Sequence, residues 1–129
     1  MGNFDGFISF LETELGDQLR IARYHHDETH HLLIARRDVR DSRAEYVPKI
    51  SSYLTESGEQ TISVEDTFGL GAVHWSVARF DDALILRFYF QENTGVTVSM
   101  EPDADLDLLA FAERCADELE PIETLSPRF

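Results

Sequence analysis

Residues 83–90, ALILRFYF, are apolar at nearly every position. Successive strand side chains alternate between the two faces of a sheet, so a strand with one wet face alternates apolar with polar. A run that is apolar at both parities has to be covered on both faces. On either side stand two further β-type stretches, AVHWSVARF at 72–80 and GVTVSM at 95–100. Asp81 and Asp82 form the first, tight connection, and Glu92, Asn93 and Thr94 the second. Residues 72–100 therefore read as three consecutive antiparallel strands, with 83–90 central and sandwiched between layers.

The remaining segments supply those layers. Asn3 is placed to cap a helix in which Phe4, Phe7, Ile8, Leu11 and Leu15 recur at spacings of three and four, with Gly16 ending it. LRIARYHHD and THHLLIARR form two β-type runs around a short polar centre, and their closeness favours an antiparallel hairpin. Asp41 or Ser42 opens a second helix, with Ser42 and Glu45 at capping-box spacing and Val47, Ile50 and Leu54 as its stripe. Pro48 removes one backbone donor there. TISV at 61–64 is a short candidate strand in the loop between Gly58 and Gly71. A last helix is expected from Asp105 to Leu119, with Leu108, Leu109, Ala112, Cys115, Ala116 and Leu119 inward and Pro121 as its stop.

No repeat or linker divides this order, and the 129 residues make one domain able to bury roughly two thirds of its unfolded surface. The expected fold class is α+β: a five-stranded antiparallel sheet with three helices on its faces, in the order α-β-β-α-β-β-β-α.

Charge narrows the function. The formal net charge is -14, spread along the chain without a long block, and Lys49 is the single lysine among eleven cations. Self-repulsion of that size weakens a compact chain in dilute buffer, whereas at 1 M salt the screening length falls to about 3 Å. The expectation is a cytoplasmic protein of a salt-accumulating organism. Phosphate backbones and anionic lipids are held by Lys and Arg clusters, so neither nucleic acid nor membrane is an expected partner. Arg36, Arg37 and Arg40, interrupted by Asp38, read as salt-bridge donors at a strand-to-helix junction. A lone Cys115 excludes an internal disulfide, the start MGNFDGFISF has no positive n-region, and Gly6 stands where a myristoylation signal wants Ser or Thr.

With these elements in place, the order resembles the roadblock (dynein light chain) fold across almost the whole chain. The segment GAVHWSVARFDDALILRFYFQENTGVTVSM and the opening FISFLETELGDQLR are similar to small haloarchaeal single-domain proteins. The resemblance implies a non-enzymatic scaffold or regulator that pairs through its second helix and an edge strand. In this chain that interface comprises Tyr46, Ile50, Tyr53 and Leu54 with Trp75 on the strand from Ala72, and Pro48 is a departure inside the pairing helix.

The residues themselves offer one cluster with chemistry. YHHDETHH, residues 24–31, holds four of the five histidines. With a turn through Asp27, Glu28 and Thr29, His26 faces His30 and His25 faces His31, with Asp27 or Glu28 as a third ligand for a divalent ion. The two pairs point to opposite faces of the sheet, so they make two incomplete sites rather than one. The cluster reads as a solvated hairpin end that takes up Zn or Ni adventitiously. His74 lacks a nucleophile-elbow partner, and Gly69–Leu70–Gly71 lacks the lysine and helix of a phosphate loop, so neither marks an enzyme. The expectation is a homodimeric, non-catalytic protein-binding or regulatory module without a cofactor, its partner a second copy or another protein. The alternatives are a metal-binding protein or metal-dependent hydrolase using the hairpin histidines, and a small-ligand sensor.

Overall fold

The computed structural model describes residues 4–26, 29–42, 65, 67–91 and 94–123. Helix α1 spans Asp5–Leu15 and buries Phe7, Leu11 and Leu15, one residue per turn on one face. It ends at Gly16, whose N–H returns to the Glu12 carbonyl, and a 3₁₀ turn over Gly16–Gln18 leads into the sheet. Strands β1 (Leu19–His26) and β2 (Thr29–Ala35) form the expected hairpin. Helix α2 (Arg37–Ser42) follows directly, then β3 (Trp75–Arg79), β4 (Leu84–Gln91), β5 (Thr94–Met100) and helix α3 (Leu108–Glu123). Every strand pairing is antiparallel, and the order across the sheet is β2-β1-β5-β4-β3. The fold class is therefore the α+β arrangement expected, with a five-stranded antiparallel sheet.

Both α1 and α3 lie on one face. Phe7, Leu11 and Leu15 of α1 and Phe111, Ala112, Cys115 and Leu119 of α3 close over Leu86, Phe88 and Phe90 of β4 and Val96, Val98 and Met100 of β5. The opposite parity of β4 is also buried, but it is polar: Arg87 is 5% and Tyr89 9% exposed. The two-sided covering inferred from residues 83–90 holds. The middle of the sheet is β5, however, because β1 pairs with it and places β4 one strand off centre.

Several boundaries differ from expectation. Helix α2 begins at Arg37 rather than at Asp41, and the rest of the expected second helix, with TISV, lies outside the described residues. Strand β3 begins at Trp75 rather than at Ala72; just ahead of it the His74 carbonyl accepts from Tyr89 N–H of β4 at 3.0 Å. Helix α3 starts later than expected because Asp107 caps it, its carboxylate accepting from Ala110 N–H at 3.2 Å. It also runs through Pro121, which stands in the last turn, where the ring's fixed φ is helical and only one backbone donor is missing. Leu109, expected inward, is 61% exposed, and Phe111 takes its place in the core. The buried positions 111, 112, 115 and 119 trace one face of a 3.6-residue period.

At the end of β2 the basic cluster does what its spacing implies. Arg36 donates from Nε to Asp38 Oδ1 at 2.7 Å and from Nη1 to the Asp17 carbonyl at 2.9 Å, and pairs with Glu101 at 2.7 Å. One guanidinium thus joins the 3₁₀ turn, the start of α2 and the chain leaving β5.

Candidate functional site

The register of the β1–β2 hairpin decides where the four histidines point. Strand β2 resumes at Thr29, so the pairs are His26 with Thr29, His25 with His30 and Tyr24 with His31. This is one residue off the pairing expected from a turn through Asp27, Glu28 and Thr29. Since side chains alternate, His25 and His30 share one face of the sheet while His26 and His31 share the other. The histidines still divide two and two between the faces, but in different couples.

His26 and His31 lie on the side of the helices, at the end of the sheet. His26 shares a hydrogen bond of 2.9 Å with the buried Thr94 hydroxyl. His31 stacks on Tyr24 at 5.9 Å between ring centres, and Tyr24 in turn meets Phe4 at 5.1 Å and Phe90 at 6.3 Å. These two histidines are the margin of an aromatic cluster, and burial raises the Tyr24 phenol above its ordinary range.

His25 and His30 are placed otherwise. His25 is 1% exposed, its ring centre 6.3 Å from that of His30. It occupies space left by Gly95, its neighbour on β5: a Cβ there would come 3.4 Å from His25 Cε1 and 2.1 Å from the Phe88 carbonyl oxygen. No residue but glycine fits where β4 approaches so closely, next to the irregularity in β4 between Tyr89 and Gln91. His25 Nδ1 and both ring nitrogens of His30 are buried without hydrogen-bond partners. Burial, then the charge of Arg87, lowers the His25 pKa to about 3. Burial and Arg23 lower that of His30. Both imidazoles are therefore held toward the neutral form.

Along the same face, beyond Gly95, stand Tyr89, Arg87 and Thr97. The Arg87 guanidinium lies 4.9 Å from the centre of the Tyr89 ring, whose hydroxyl bonds to Ser76 Oγ at 3.0 Å. A small cavity of about 50 Å³ opens between Ser76, Phe80, Arg87, Tyr89 and Thr97. Sequence reasoning passed over this polar row. Its signal is a single arginine inside an otherwise apolar strand, which is costly unless the surrounding groups meet its donors.

Among the described residues no group of three His, Cys, Asp or Glu side chains is placed to hold a metal ion. Asp27 and Glu28, the alternative third ligands, lie outside the described residues, as do Tyr46, Ile50, Tyr53 and Leu54 of the expected interface. Trp75 is described: it is half-buried on β3, opposite Phe88, and packs against the core. His74 is exposed before β3. Gly69 and Gly71 take positive φ of 61° and 93°, as a turn into the strand requires. Cys115 is buried and its thiol pushed up to about 12 by burial, so it packs as an apolar group.

A family model described as "Domain of unknown function (DUF7522)" matches residues 5–120, nearly the whole of the chain. The chain belongs to DUF7522. No curated protein matches the sequence. Among solved structures, this DUF7522 chain is similar to the roadblock/LC7 domain from Streptomyces avermitilis, at 16% identity and a TM-score of 0.49, over 89% of this chain and 96% of that one. Among the described residues, no helix of the DUF7522 chain is long and apolar enough to cross a membrane.

Proposed function

We propose that this DUF7522 chain is a non-catalytic protein-binding module whose first partner is a second copy of itself, joined along β3. The observation that carries the reading is the state of that strand. Strand β3 is an edge of the sheet, with β4 its one strand neighbour among the described residues. Long apolar edges are a liability that proteins blunt with Lys, Pro or a covering element. Here Val77 is 42% and Phe80 48% exposed, and Phe68 and Leu70 ahead of the strand are 66% and 87% exposed. The resemblance of the element order to the roadblock fold adds support, since it implies pairing through the second helix and an edge strand.

The backbone supplies a test. Phe80 N–H bonds to the Ala83 carbonyl at 2.8 Å and Tyr89 N–H to the His74 carbonyl at 3.0 Å. Ladder bonds alternate, so residues 75, 77 and 79 turn their N–H and C=O groups to the open edge. Val77→Pro removes one outward donor and leaves the β4 ladder whole. In molar KCl, light scattering after size exclusion should give a dimer for the native chain and a monomer for Val77→Pro, with unchanged melting of the monomeric fold. A native chain that stays monomeric at tens of micromolar, or a variant that still pairs, defeats the reading. The net charge of -14 per copy makes this association salt-requiring and supports a cytoplasmic role in a salt-accumulating archaeon.

A further inference from the structure

On the sheet face away from α1 and α3, one row of side chains crosses four strands. Ser76 of β3 pairs with Arg87 of β4, Arg87 with Thr97 of β5, and Thr97 with Arg23 of β1. Directly paired residues share a face. Neighbouring strands lie about 4.8 Å apart, so the two arginine positions stand roughly 10 Å from each other with one hydroxyl between them. That hydroxyl, Thr97 Oγ1, is buried without a hydrogen-bond partner, a condition that interiors avoid. We infer that the cavity between Arg87, Thr97, Ser76 and Tyr89 is the binding site of a small monovalent anion, chloride being the simplest, entered from the β3 edge.

Sign, charge and access each narrow the ligand. Arg87 is 5% exposed, so its guanidinium has left most of its water, and a negative charge in contact offsets that loss. Guanidinium N–H groups only donate, and the hydroxyls of Thr97, Ser76 and Tyr89 can donate as well. Among the described residues that line the cavity there is no carboxylate. The same positive field reaches the neighbouring imidazoles: after burial, Arg87 is the next cause that lowers the His25 pKa, and Arg23 the next that lowers that of His30. A volume of about 50 Å³ is several times what one water needs, which is room for a chloride with a water beside it. One guanidinium at the cavity, in a chain of net charge -14, favours a single negative charge over the two or three of sulfate or phosphate. Ser76 and Phe80 are exposed on the edge strand side, which leaves a way in.

The full chain in molar potassium gluconate, whose anion is too bulky for the cavity, is titrated with KCl in exchange at constant ionic strength. The melting temperature of the native chain, followed by circular dichroism, should rise along a saturating curve. Thr97→Val keeps the shape and removes the hydroxyl, and should need roughly tenfold more chloride for half of the rise. Arg87→Gln should lose the saturating rise altogether; should that variant fail to fold, Thr97→Val still decides. A crystal grown in KBr should show one anomalous bromide peak in contact with Arg87 and Thr97. A native melting temperature indifferent to the exchange, a Thr97→Val titration that matches the native one, a bromide crystal with no peak in the cavity, or phosphate acting at lower concentration than chloride would each overturn the assignment.

Discussion

His25 concentrates the physical tension of the molecule in one side chain. Its folded pKa, about 3, lies below the ordinary 6.5, with burial the larger cause and Arg87 the next. The neutral ring therefore contributes stability in full above pH 6.5. That contribution is lost as pH falls toward 3, because the unfolded chain takes up a proton that the folded chain refuses. Across the window it amounts to on the order of 5 kcal/mol, at about 1.4 kcal/mol per pH unit. Urea unfolding between pH 6.5 and 4 should release about 3 kcal/mol of this as a steep loss of stability, and His25→Leu should unfold with about one proton fewer taken up. A variant whose pH slope equals that of the native chain would mean that His25 is not the residue responsible. Little of this was legible beforehand. YHHDETHH announced the histidines, but their faces hang on whether the turn consumes two residues or three, and a one-residue slip exchanges every partner.

Elements were easier to read than residues, for reasons visible in α1 and α3. The spacing of Phe7, Leu11 and Leu15 fixes one face without ambiguity, and the structure buries those three. In α3 the sequence LLAFAERCADELE offers apolar residues on more than one face, so the inward face was assigned through Leu109, whereas the helix buries Phe111 and leaves Leu109 exposed. Truncating the two residues separates these rotations. Phe111→Ala should cost about 3–5 kcal/mol, whereas Leu109→Ala should stay within about 0.5 kcal/mol. Chemical denaturation of the two variants in molar KCl checks it, and comparable losses at both positions would contradict the packing described. The hairpin through Asp81 and Asp82 and the two-sided burial of β4 were likewise evident, since each rests on local turn chemistry or on composition at both parities. The pairing of β1 with β5 was not, because nothing local records which distant strand a hairpin will join.

For the whole molecule the governing quantity is charge. A net -14 is carried by a chain in which ion pairs such as Arg36 with Glu101 at 2.7 Å and Arg20 with Glu101 at 3.9 Å are partly open to solvent. Surface pairs of this kind contribute at most about 1 kcal/mol each, too little to offset repulsion among the carboxylates at low ionic strength. Cooperative thermal unfolding is expected in molar KCl and should disappear as KCl is lowered to tens of millimolar, followed by circular dichroism. A melting temperature constant across that range would refute the brine reading.

The strand order β2-β1-β5-β4-β3 also has a temporal meaning. Arg23 and Thr97 are partners in the β1–β5 ladder, so the amino-terminal hairpin, complete at Ala35, finds its neighbour only after some sixty further residues have left the ribosome. At elongation rates of about 5–20 residues per second, that is a wait of several seconds. During it, β1 shows a bare flank to every other nascent chain. Repulsion between chains that each carry a net charge of -14 disfavours their pairing along that flank.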